Sequence, residues 1–416
     1  MASPSFDPND YIEAAKARAP DNERANDNGQ SDEPRPLTVI DGGANHGRIP
    51  PREWLLGAVF CRRYVSALIA QGASGKTALR HAEYLSLASG KSLLGHYVHK
   101  RARVLIITFE DGLVELRRRI QAAKDHHGLT EEDLSGWLFL CGLQASDGKL
   151  MIMDERGRPV RGELYRSVYD TIEAHSIDLV SFDPFAKVHD LDENANSQLD
   201  TLMQDLSNLA DEKNVAIDII HHAKKGSTSP GDSDLGRGAS AIRDACRFVE
   251  TLSQMTSEEA QEFGIEERER RLYARVDAAK MNLAPPAGQA EWYRLVGVNL
   301  GNGNEENPNG DNVQTIEPWE PPKAWDGLSV DLCNRILDDI AAGTNDGQRY
   351  SDANSANTRA AWKIVQSHVP DKPKQQCKNI IKTWVKNGVL HQGDYWDQKE
   401  RRTRSGLYVD NQKRPH

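Results

Sequence analysis

The sequence predicts an α/β fold with a mostly parallel sheet, followed by a small domain of helices and two strands. Apolar segments of strand length alternate with amphipathic helices, which is typical of parallel strands joined by helices. One apolar segment, residues 65–70, runs into a glycine-rich loop and then into a helical pattern. This order favours a phosphate site, because backbone N–H groups and the helix N-terminus converge on an anion.

The loop sequence Gln-Gly-Ala-Ser-Gly-Lys-Thr predicts that a nucleoside triphosphate binds here, with ATP and Mg²⁺ as the expected ligands. Lys76 would reach the β- and γ-phosphates, and the Thr77 hydroxyl would bind the metal. The first glycine of the usual motif is replaced by Ala70, and an ordinary glycine turn beside an exposed lysine is the alternative. The expected nucleotide-binding residues are Gly72, Ala73, Ser74, Gly75, Lys76, Thr77 and Ala78.

Two further predicted strands end in acidic residues. Residues 103–109 lead to Glu110, and residues 177–182 lead to Asp183. Acids at the carboxyl ends of parallel strands face the ligand crevice of an α/β sheet. We expect Asp183 to hold Mg²⁺ through its water shell and Glu110 to polarise the attacking water. For each of them the alternative is a surface acid that ends a strand.

A fourth predicted strand, residues 215–220, ends at the pair His221 and His222. His222 is expected to sense the γ-phosphate by hydrogen bonding. A metal site is less favoured, because neither a cysteine nor a third histidine lies at ligand spacing. A pair of surface histidines is the other alternative.

These motifs carry a family resemblance. In order they are the phosphate loop, Phe-Glu-Asp followed by Leu-Arg-Arg-Arg, Phe-Asp-Pro-Phe with Asp-Glu-Asn-Ala-Asn downstream, His-His-Ala-Lys and Arg-Gly-Ala-Ser-Ala-Ile. The order resembles the RepA-like hexameric replicative helicases of plasmids and phages, within the RecA-like ATPases. The resemblance runs from about residue 49 to about residue 301. The sequence departs from the family pattern at Ala70 and where Arg-Gly-Ala-Ser stands for the more usual Arg-Gly-Ser-Ser.

The resemblance implies a RecA-like P-loop ATPase that assembles as a homo-oligomeric ring of six subunits and translocates on single-stranded DNA. In that family an arginine of the neighbouring subunit completes the phosphate site, and Arg237 is the matching position. An exposed loop arginine or a DNA contact is the alternative for Arg237. The expected catalytic residues are Lys76, Glu110, Asp183, His222 and Arg237. DNA contacts are expected in the loops after the third and fourth strands, from Lys187, His189, Asn194, Lys224, Lys225 and Ser227.

The composition predicts four segments along the chain. Residues 1–48 are poor in large apolar side chains and are expected to be disordered, apart from a short helix near residues 10–19. The ATPase domain is expected over residues 49–301, and residues 302–327, rich in Asn, Gly, Glu and Pro, are expected to be a linker. Trp54, near the start of the ATPase domain, is expected either to stack on the nucleotide base or to pack at the domain edge.

Residues 328–416 are predicted to form a winged-helix-like domain. Helices are expected over residues 329–342, 357–367 and 373–387, with a two-stranded wing over residues 388–409. The last 60 residues carry 13 lysines and arginines against 5 acids, although the whole chain has a net charge of −10. We expect DNA phosphates to contact Lys374, Lys378, Lys382, Arg401, Arg402 and Arg404. A solvated basic face, or a docking surface for other replication proteins, is the alternative.

The remaining composition argues against several classes of protein. No segment is apolar enough to cross a membrane and no signal-peptide pattern opens the chain, so a cytoplasmic location is expected. Five scattered cysteines indicate neither a disulfide framework nor a zinc site. Two functional alternatives to the helicase are retained: a RecA-like DNA-binding ATPase without unwinding activity, such as a recombination mediator, loader or defence component, and a winged-helix regulator with the ATPase as a switch.

Overall fold

The computed structural model describes residues 39–45, 47–193, 195–222, 239–285, 288–353 and 356–415. The chain divides into a unit of residues 1–53 and a unit of residues 54–416. In the first unit the described residues include a turn in which the Asp41 carbonyl accepts a hydrogen bond from the Ala44 N–H group at 3.2 Å. The helix expected near residues 10–19 lies outside the described residues.

In the second unit, strands and helices are numbered along the chain. The described strands are β1 Trp54–Leu56, β2 Phe60–Cys61, β3 Val65–Ala70, β4 Val104–Thr108, β5 Leu138–Gly142, β6 Met151–Met153, β7 Pro159–Arg161, β8 Leu179–Asp183, β9 Ala216–His222, β10 Phe248–Gln254, β11 Tyr273–Met281, β12 Glu291–Asn299, β13 Asn312–Pro318, β14 Leu390–Asp397 and β15 Arg402–Val409. The described α-helices are α1 Lys76–Ser89, α2 Leu113–His126, α3 Glu131–Leu134, α4 Glu163–His175, α5 Asn196–Glu212, α6 Ala239–Ala245, α7 Ser257–Phe263, α8 Val330–Ala342, α9 Trp362–His368 and α10 Lys374–Lys386.

The central sheet has nine strands in the order β13-β12-β11-β10-β3-β9-β8-β4-β5. Strands β10, β3, β9, β8, β4 and β5 are mutually parallel, and β11, β12 and β13 continue the sheet in antiparallel fashion. The predicted mostly parallel α/β sheet is therefore confirmed. Strand β9 lies between β3 and β8, so the phosphate loop and the strand that ends at Asp183 are separated by one strand.

Both faces of the parallel strands are covered by helices. On one face Val65, Ala67 and Ile69 of β3 pack in a core with α4, α5 and α6. On the other face residues of β4 pack in a core with α1 and α2. Helix α5 is amphipathic, and the buried residues of its apolar face are Leu199, Leu202, Met203, Leu206, Leu209 and Ala210. Burial on both faces explains why these strands are mostly apolar and do not alternate between apolar and polar residues.

The linker expected over residues 302–327 is wrong in its centre. Residues 312–318 form β13, an edge strand paired with β12 over seven residues. Val313, Thr315 and Ile316 are buried in it, while Asn312 and Gln314 are exposed. The composition of residues 302–327 is dominated by the Gly-rich and Pro-rich flanks, so it did not indicate the short strand between them. Pro318 fits at the end of an edge strand, where its missing N–H group removes no ladder hydrogen bond.

The C-terminal elements α8, α9, α10, β14 and β15 follow in the order that the sequence predicts. They share a core of their own that includes Ile336, Leu337, Ile380, Trp384 and Leu407. Helix α10 also contacts α7, where Asn379 Nδ2 donates to Glu262 Oε1 at 3.4 Å. The assignment of these elements as a winged helix stays a prediction. In the described part of the chain no helix has the length and apolar character needed to cross a membrane.

Candidate nucleotide site at the phosphate loop

The loop between β3 and α1 turns at two left-handed residues, Ala73 at φ 59° and Gly75 at φ 99°. Ala70, which replaces the first glycine of the motif, is instead the last buried residue of β3. It does not adopt a positive φ, so the alanine is accommodated without a special backbone conformation. Gly75 is the residue that must be small, because a Cβ atom there would lie 2.7 Å from Leu295 Cδ2.

Two hydrogen bonds hold the loop in this shape. Ser74 Oγ donates to the Gln71 carbonyl at 2.7 Å, which closes the loop across three residues. Gln254 at the end of β10 donates through Nε2 to the Ala73 carbonyl at 3.3 Å. The backbone N–H groups at the start of α1 are therefore presented to solvent by a loop that is tied down on both sides, as anion binding requires.

Thr77 and Asp183 form the candidate metal site. Thr77 Oγ1 donates to Asp183 Oδ2 at 3.1 Å, and Asp183 is only 4% exposed. The other carboxylate oxygen, Oδ1, is buried and has no hydrogen-bond partner among the described residues. Burial raises the pKa of the Asp183 carboxyl to about 6, although Lys76 and Thr77 act in the opposite direction. An orphaned carboxylate oxygen beside a threonine hydroxyl fits Mg²⁺, a hard cation that prefers oxygen ligands.

Lys76 begins α1 and is 5% exposed, although it carries a charge. Burial lowers its pKa, and the nearby carboxylates of Asp183 and Glu110 oppose that shift. Its Nζ atom lies 3.2 Å from His222 Nδ1. A buried ammonium with a neutral partner is poorly compensated, so an anionic triphosphate would be a better partner for it.

His222 lies at the end of β9 between Lys76 and Glu110. Burial, followed by the charge of Lys76, lowers the pKa of His222, so the ring is neutral at pH 7. Because Lys76 can only donate, Nδ1 accepts and the ring proton resides on Nε2. Nε2 lies 3.9 Å from Glu110 Oε2. His222 thus lies next to both Lys76 of the phosphate loop and Glu110, the residue proposed to polarise the attacking water.

Glu110 follows β4, and its backbone N–H group donates to Thr108 Oγ1 at 3.3 Å. The Phe109 N–H group donates to the Asp183 carbonyl at 3.0 Å, which fixes the end of β4 against the end of β8. The Glu110 side chain itself is 51% exposed. The structure therefore brings together Lys76, Thr77, Glu110, Asp183 and His222 at one edge of the sheet, as the sequence predicts.

A cavity of about 270 Å³ opens beside the loop. Its wall includes Gly75, Lys76, Thr77 and Glu110. It also includes three residues to which the sequence assigned no role, Asp111, Arg119 and Gln314. Arg119 Nε lies 2.7 Å from Asp111 Oδ2. Asp111 and Arg119 belong to the motifs that carry the resemblance, so a signal for them was present. Gln314 lies on β13, inside the expected linker, and had no such signal.

Other predicted residues fall elsewhere. Arg237, Lys224 and Lys225, with Asn194 and Ser227, lie outside the described residues. Lys187 is exposed after β8, and its charge contributes to the lowered pKa of His222. His189, expected in a DNA-contacting loop, is 4% exposed and its Nδ1 accepts from the Leu191 N–H group at 3.2 Å, so that expectation is wrong. A buried ring cannot face a DNA strand.

The stacking hypothesis for Trp54 is wrong, and the packing alternative is confirmed. The Trp54 ring centroid lies 5.1 Å from that of Phe248, the first residue of β10. Phe248 pairs with Ser66 near the start of β3, at the end of the sheet opposite the phosphate loop. Trp54 therefore packs far from any bound nucleotide.

The predicted DNA-contacting residues of the C-terminal region differ in solvent exposure and in whether their charge is paired. Lys382, Arg401 and Arg402 are exposed, on α10 and at the start of β15. Lys374 is also exposed, with its Nζ atom 4.9 Å from the centroid of the Trp362 ring, and Lys378 is half-buried on the same helix. Arg404 is held by Asp397, with Nη1 3.2 Å from Oδ2. An arginine paired in this way has less free charge to offer a phosphate.

Two comparisons with known proteins bear on the candidate nucleotide site. The family model described as an AAA domain matches residues 30–228, the stretch that holds the phosphate loop, Glu110, Asp183 and His222. Among solved structures, a KaiC-like protein from the hyperthermophilic archaeon Pyrococcus horikoshii OT3 is similar at 15% identity, covering 62% of this chain and 91% of that chain, with a TM-score of 0.38. The family match and the site geometry support a P-loop ATPase domain.

Proposed function

We propose that this P-loop ATPase domain belongs to a homo-oligomeric ring that uses ATP to translocate on single-stranded DNA. The ring unwinds duplexes in plasmid, phage or mobile-element replication. The number of six subunits comes from the sequence resemblance. The observation that carries the ATPase part is the Thr77–Asp183 contact beside the buried Lys76. The motor part rests on the order of motifs in the sequence.

Each residue of the site has a defined part in hydrolysis. Lys76 and the loop N–H groups hold the triphosphate and stabilise the charge that develops on it. Mg²⁺, when bound, would be held by Thr77 and Asp183 and would neutralise charge on the β- and γ-phosphates. Glu110 polarises the attacking water from the end of β4. Its 51% exposure in a single subunit supports a site that a neighbouring subunit completes, because catalytic electrostatics are stronger where water is excluded.

His222 couples phosphate binding to the chain that follows it. Lys76 Nζ lies 3.2 Å from His222 Nδ1. A bound γ-phosphate competes for the same ammonium, so His222 gains a new partner or loses its old one when ATP binds. Residues 223–238, which follow directly, include Lys224 and Lys225, the residues proposed to contact DNA. Binding of ATP would thereby be coupled, over a short distance in the sequence, to the residues proposed to contact DNA.

Two measurements on the full chain test the proposal. Mass determination with and without a nonhydrolysable ATP analogue tests ring assembly, and displacement of a labelled strand from a forked DNA substrate tests unwinding. We expect a nucleotide-dependent closed ring and ATP-dependent displacement. A ring that hydrolyses ATP in response to single-stranded DNA but displaces nothing would favour the alternative, a DNA-binding ATPase such as a recombination mediator, loader or defence component.

The C-terminal region is proposed to provide further contacts, either with DNA or with other replication proteins. Its exposed basic residues Lys382, Arg401 and Arg402 are suited to phosphate. The test is nucleic-acid binding by the full chain with these three residues changed to glutamine. Unchanged affinity and unchanged salt dependence would leave a protein partner as the better assignment for this surface.

A further inference from the structure

The antiparallel end of the sheet closes over the helices that flank the phosphate loop. β13 is the last strand at its edge, yet it packs against α1 and α2, which lie on one face of the sheet. Two polar contacts tie this end of the sheet to α2. Arg118 Nε lies 3.0 Å from Asp311 Oδ2, and His126 Nε2 lies 3.1 Å from Glu317 Oε2. The sheet therefore curls until its edge strand reaches the nucleotide site of the same subunit.

The contact between this strand pair and the loop is close. The side chain of Leu295, on β12, occupies the space where a Cβ atom of Gly75 would be. In the antiparallel register Leu295 pairs with Ile316 and Gly297 pairs with Gln314, so all four residues share one face of the strand pair. Gln314 is opposite a glycine, and the space where a Gly297 side chain would lie is filled by the side chain of Asn312.

Gln314 lines the cavity beside the loop together with Lys76 and Thr77. Its side-chain amide offers two N–H donors and one carbonyl acceptor, a set that can bind phosphate oxygens, ribose hydroxyls or base edges. The remaining cavity-lining charges on this side include Asp111 and Arg119, which already pair with each other. Gln314 is thus a polar residue from a distant part of the chain that lines the space a nucleotide would fill.

We propose that Gln314 binds the nucleotide directly, from within the same subunit, and that β12 and β13 form one wall of the ATP site. The inference rests on the proposed function only in requiring that ATP binds at the phosphate loop. It does not require a ring, DNA or unwinding. One neutral hydrogen bond has a net effect that corresponds to an about 3- to 10-fold change in affinity.

The test measures the dissociation constant of a fluorescent nonhydrolysable ATP analogue, with Mg²⁺, for the full chain. Gln314→Ala should bind about 3- to 10-fold more weakly than wild type. Gln314→Glu, which keeps the shape but removes both donors and adds a negative charge, should bind still more weakly, with the extra loss reduced by salt. Gln261→Ala is the control, since Gln261 is an exposed glutamine on α7 that does not line the cavity.

Competition by tripolyphosphate identifies the group that Gln314 contacts. If the loss in Gln314→Ala is equal for ATP and for tripolyphosphate, the contact is to phosphate; if it appears for ATP alone, the contact is to the nucleoside. Both results support the inference. Wild-type affinity in both Gln314 variants, with melting temperatures unchanged, would overturn the inference and leave the proposed function intact. A wild-type protein that fails to bind the analogue would overturn the proposed function itself.

Discussion

Thr77 Oγ1 donates to Asp183 Oδ2 at 3.1 Å, which joins the first turn of α1 to the end of β8 across the intervening strand β9. The contact places a hydroxyl and a carboxylate, the two oxygen ligands expected for Mg²⁺, beside the lysine expected for phosphate. Residues 106 positions apart in the chain therefore meet at the point where the motif order predicts a triphosphate.

Removal of the Lys76 charge should abolish hydrolysis. Lys76→Ala removes the cation nearest the phosphates, and loss of one transition-state contact of this kind costs on the order of 10² to 10³ in turnover. The fold should remain intact, because the Lys76 side chain belongs to none of the apolar cores. Steady-state phosphate release measures the effect, with Lys100→Ala as the control, since Lys100 is exposed and does not line the cavity. Near-normal turnover in Lys76→Ala would exclude the loop as the active site.

Substitutions of Glu110 and Asp183 should affect nucleotide binding and hydrolysis differently. Glu110→Gln should still bind ATP and Mg²⁺ but hydrolyse it on the order of 10²- to 10⁴-fold more slowly, the usual contribution of a general base. Asp183→Asn should also lose Mg²⁺-dependent affinity, since it removes the carboxylate that faces the metal. Titration of a nonhydrolysable analogue with and without Mg²⁺ distinguishes the two. Equal losses of affinity in both variants would contradict the division of roles.

The buried Asp183 carboxylate should also destabilise the nucleotide-free protein in a pH-dependent way. Burial raises its pKa to about 6 in the folded chain, above the ordinary value of 3.8. The folded state therefore holds a proton that the unfolded state has released, and the free energy of unfolding falls as pH rises between about 4 and 6. At pH 7 Asp183→Asn should be more stable than wild type by about 1 to 3 kcal/mol.

Denaturant unfolding of both proteins at pH 4, 5, 6 and 7, without nucleotide or metal, checks this prediction. The advantage of Asp183→Asn should be near zero at pH 4, should grow through the interval and should level off above pH 6. Addition of Mg²⁺ and an ATP analogue should stabilise wild type more than the variant, because only wild type keeps the metal-facing carboxylate. A constant difference across all four pH values would show that Asp183 is not the titrating group.

Much of the site could be predicted from sequence because its signals are local. β3 is mostly apolar, is buried along its whole length and leads directly into the loop, so its bounds and the role of Lys76 follow from adjacent residues. The same holds for Asp183, which ends β8. Even the replaced glycine at Ala70 proves harmless, since that position is in extended strand and not in a left-handed turn.

What could not be predicted depends on residues far apart in the chain. β13 is a seven-residue strand between Gly-rich and Pro-rich flanks, and its burial comes from packing against α1 and α2. Gln314 reaches the nucleotide cavity only because the sheet curls, and no local pattern records that curvature. His189 looked like a solvent loop residue, yet its ring is buried against Phe185, with centroids 5.3 Å apart. Tertiary packing, and not local propensity, determines the formation of β13, the position of Gln314 and the burial of His189.

Arg237 lies outside the described residues, so its role in a neighbouring subunit remains a prediction that subunit mixing can test. Arg237→Ala and Lys76→Ala proteins, each inactive alone, should regain ATPase activity when mixed. A mixed ring contains junctions where an intact Lys76 faces an intact Arg237 from the next subunit, and an arginine finger contributes about 10³ to 10⁵ in turnover, so few junctions suffice.

The mixing experiment needs proof that subunits exchange, which energy transfer between differently labelled proteins provides. A mixture of Lys76→Ala with Glu110→Gln is the matched control. Both changes lie on the same side of the junction, so mixing creates junctions in which one of the two is always missing, and activity should stay at background. If exchange is complete and the Arg237→Ala mixture is also inactive, Arg237 acts within its own subunit or does not act on ATP, and the shared-site model of the ring is wrong.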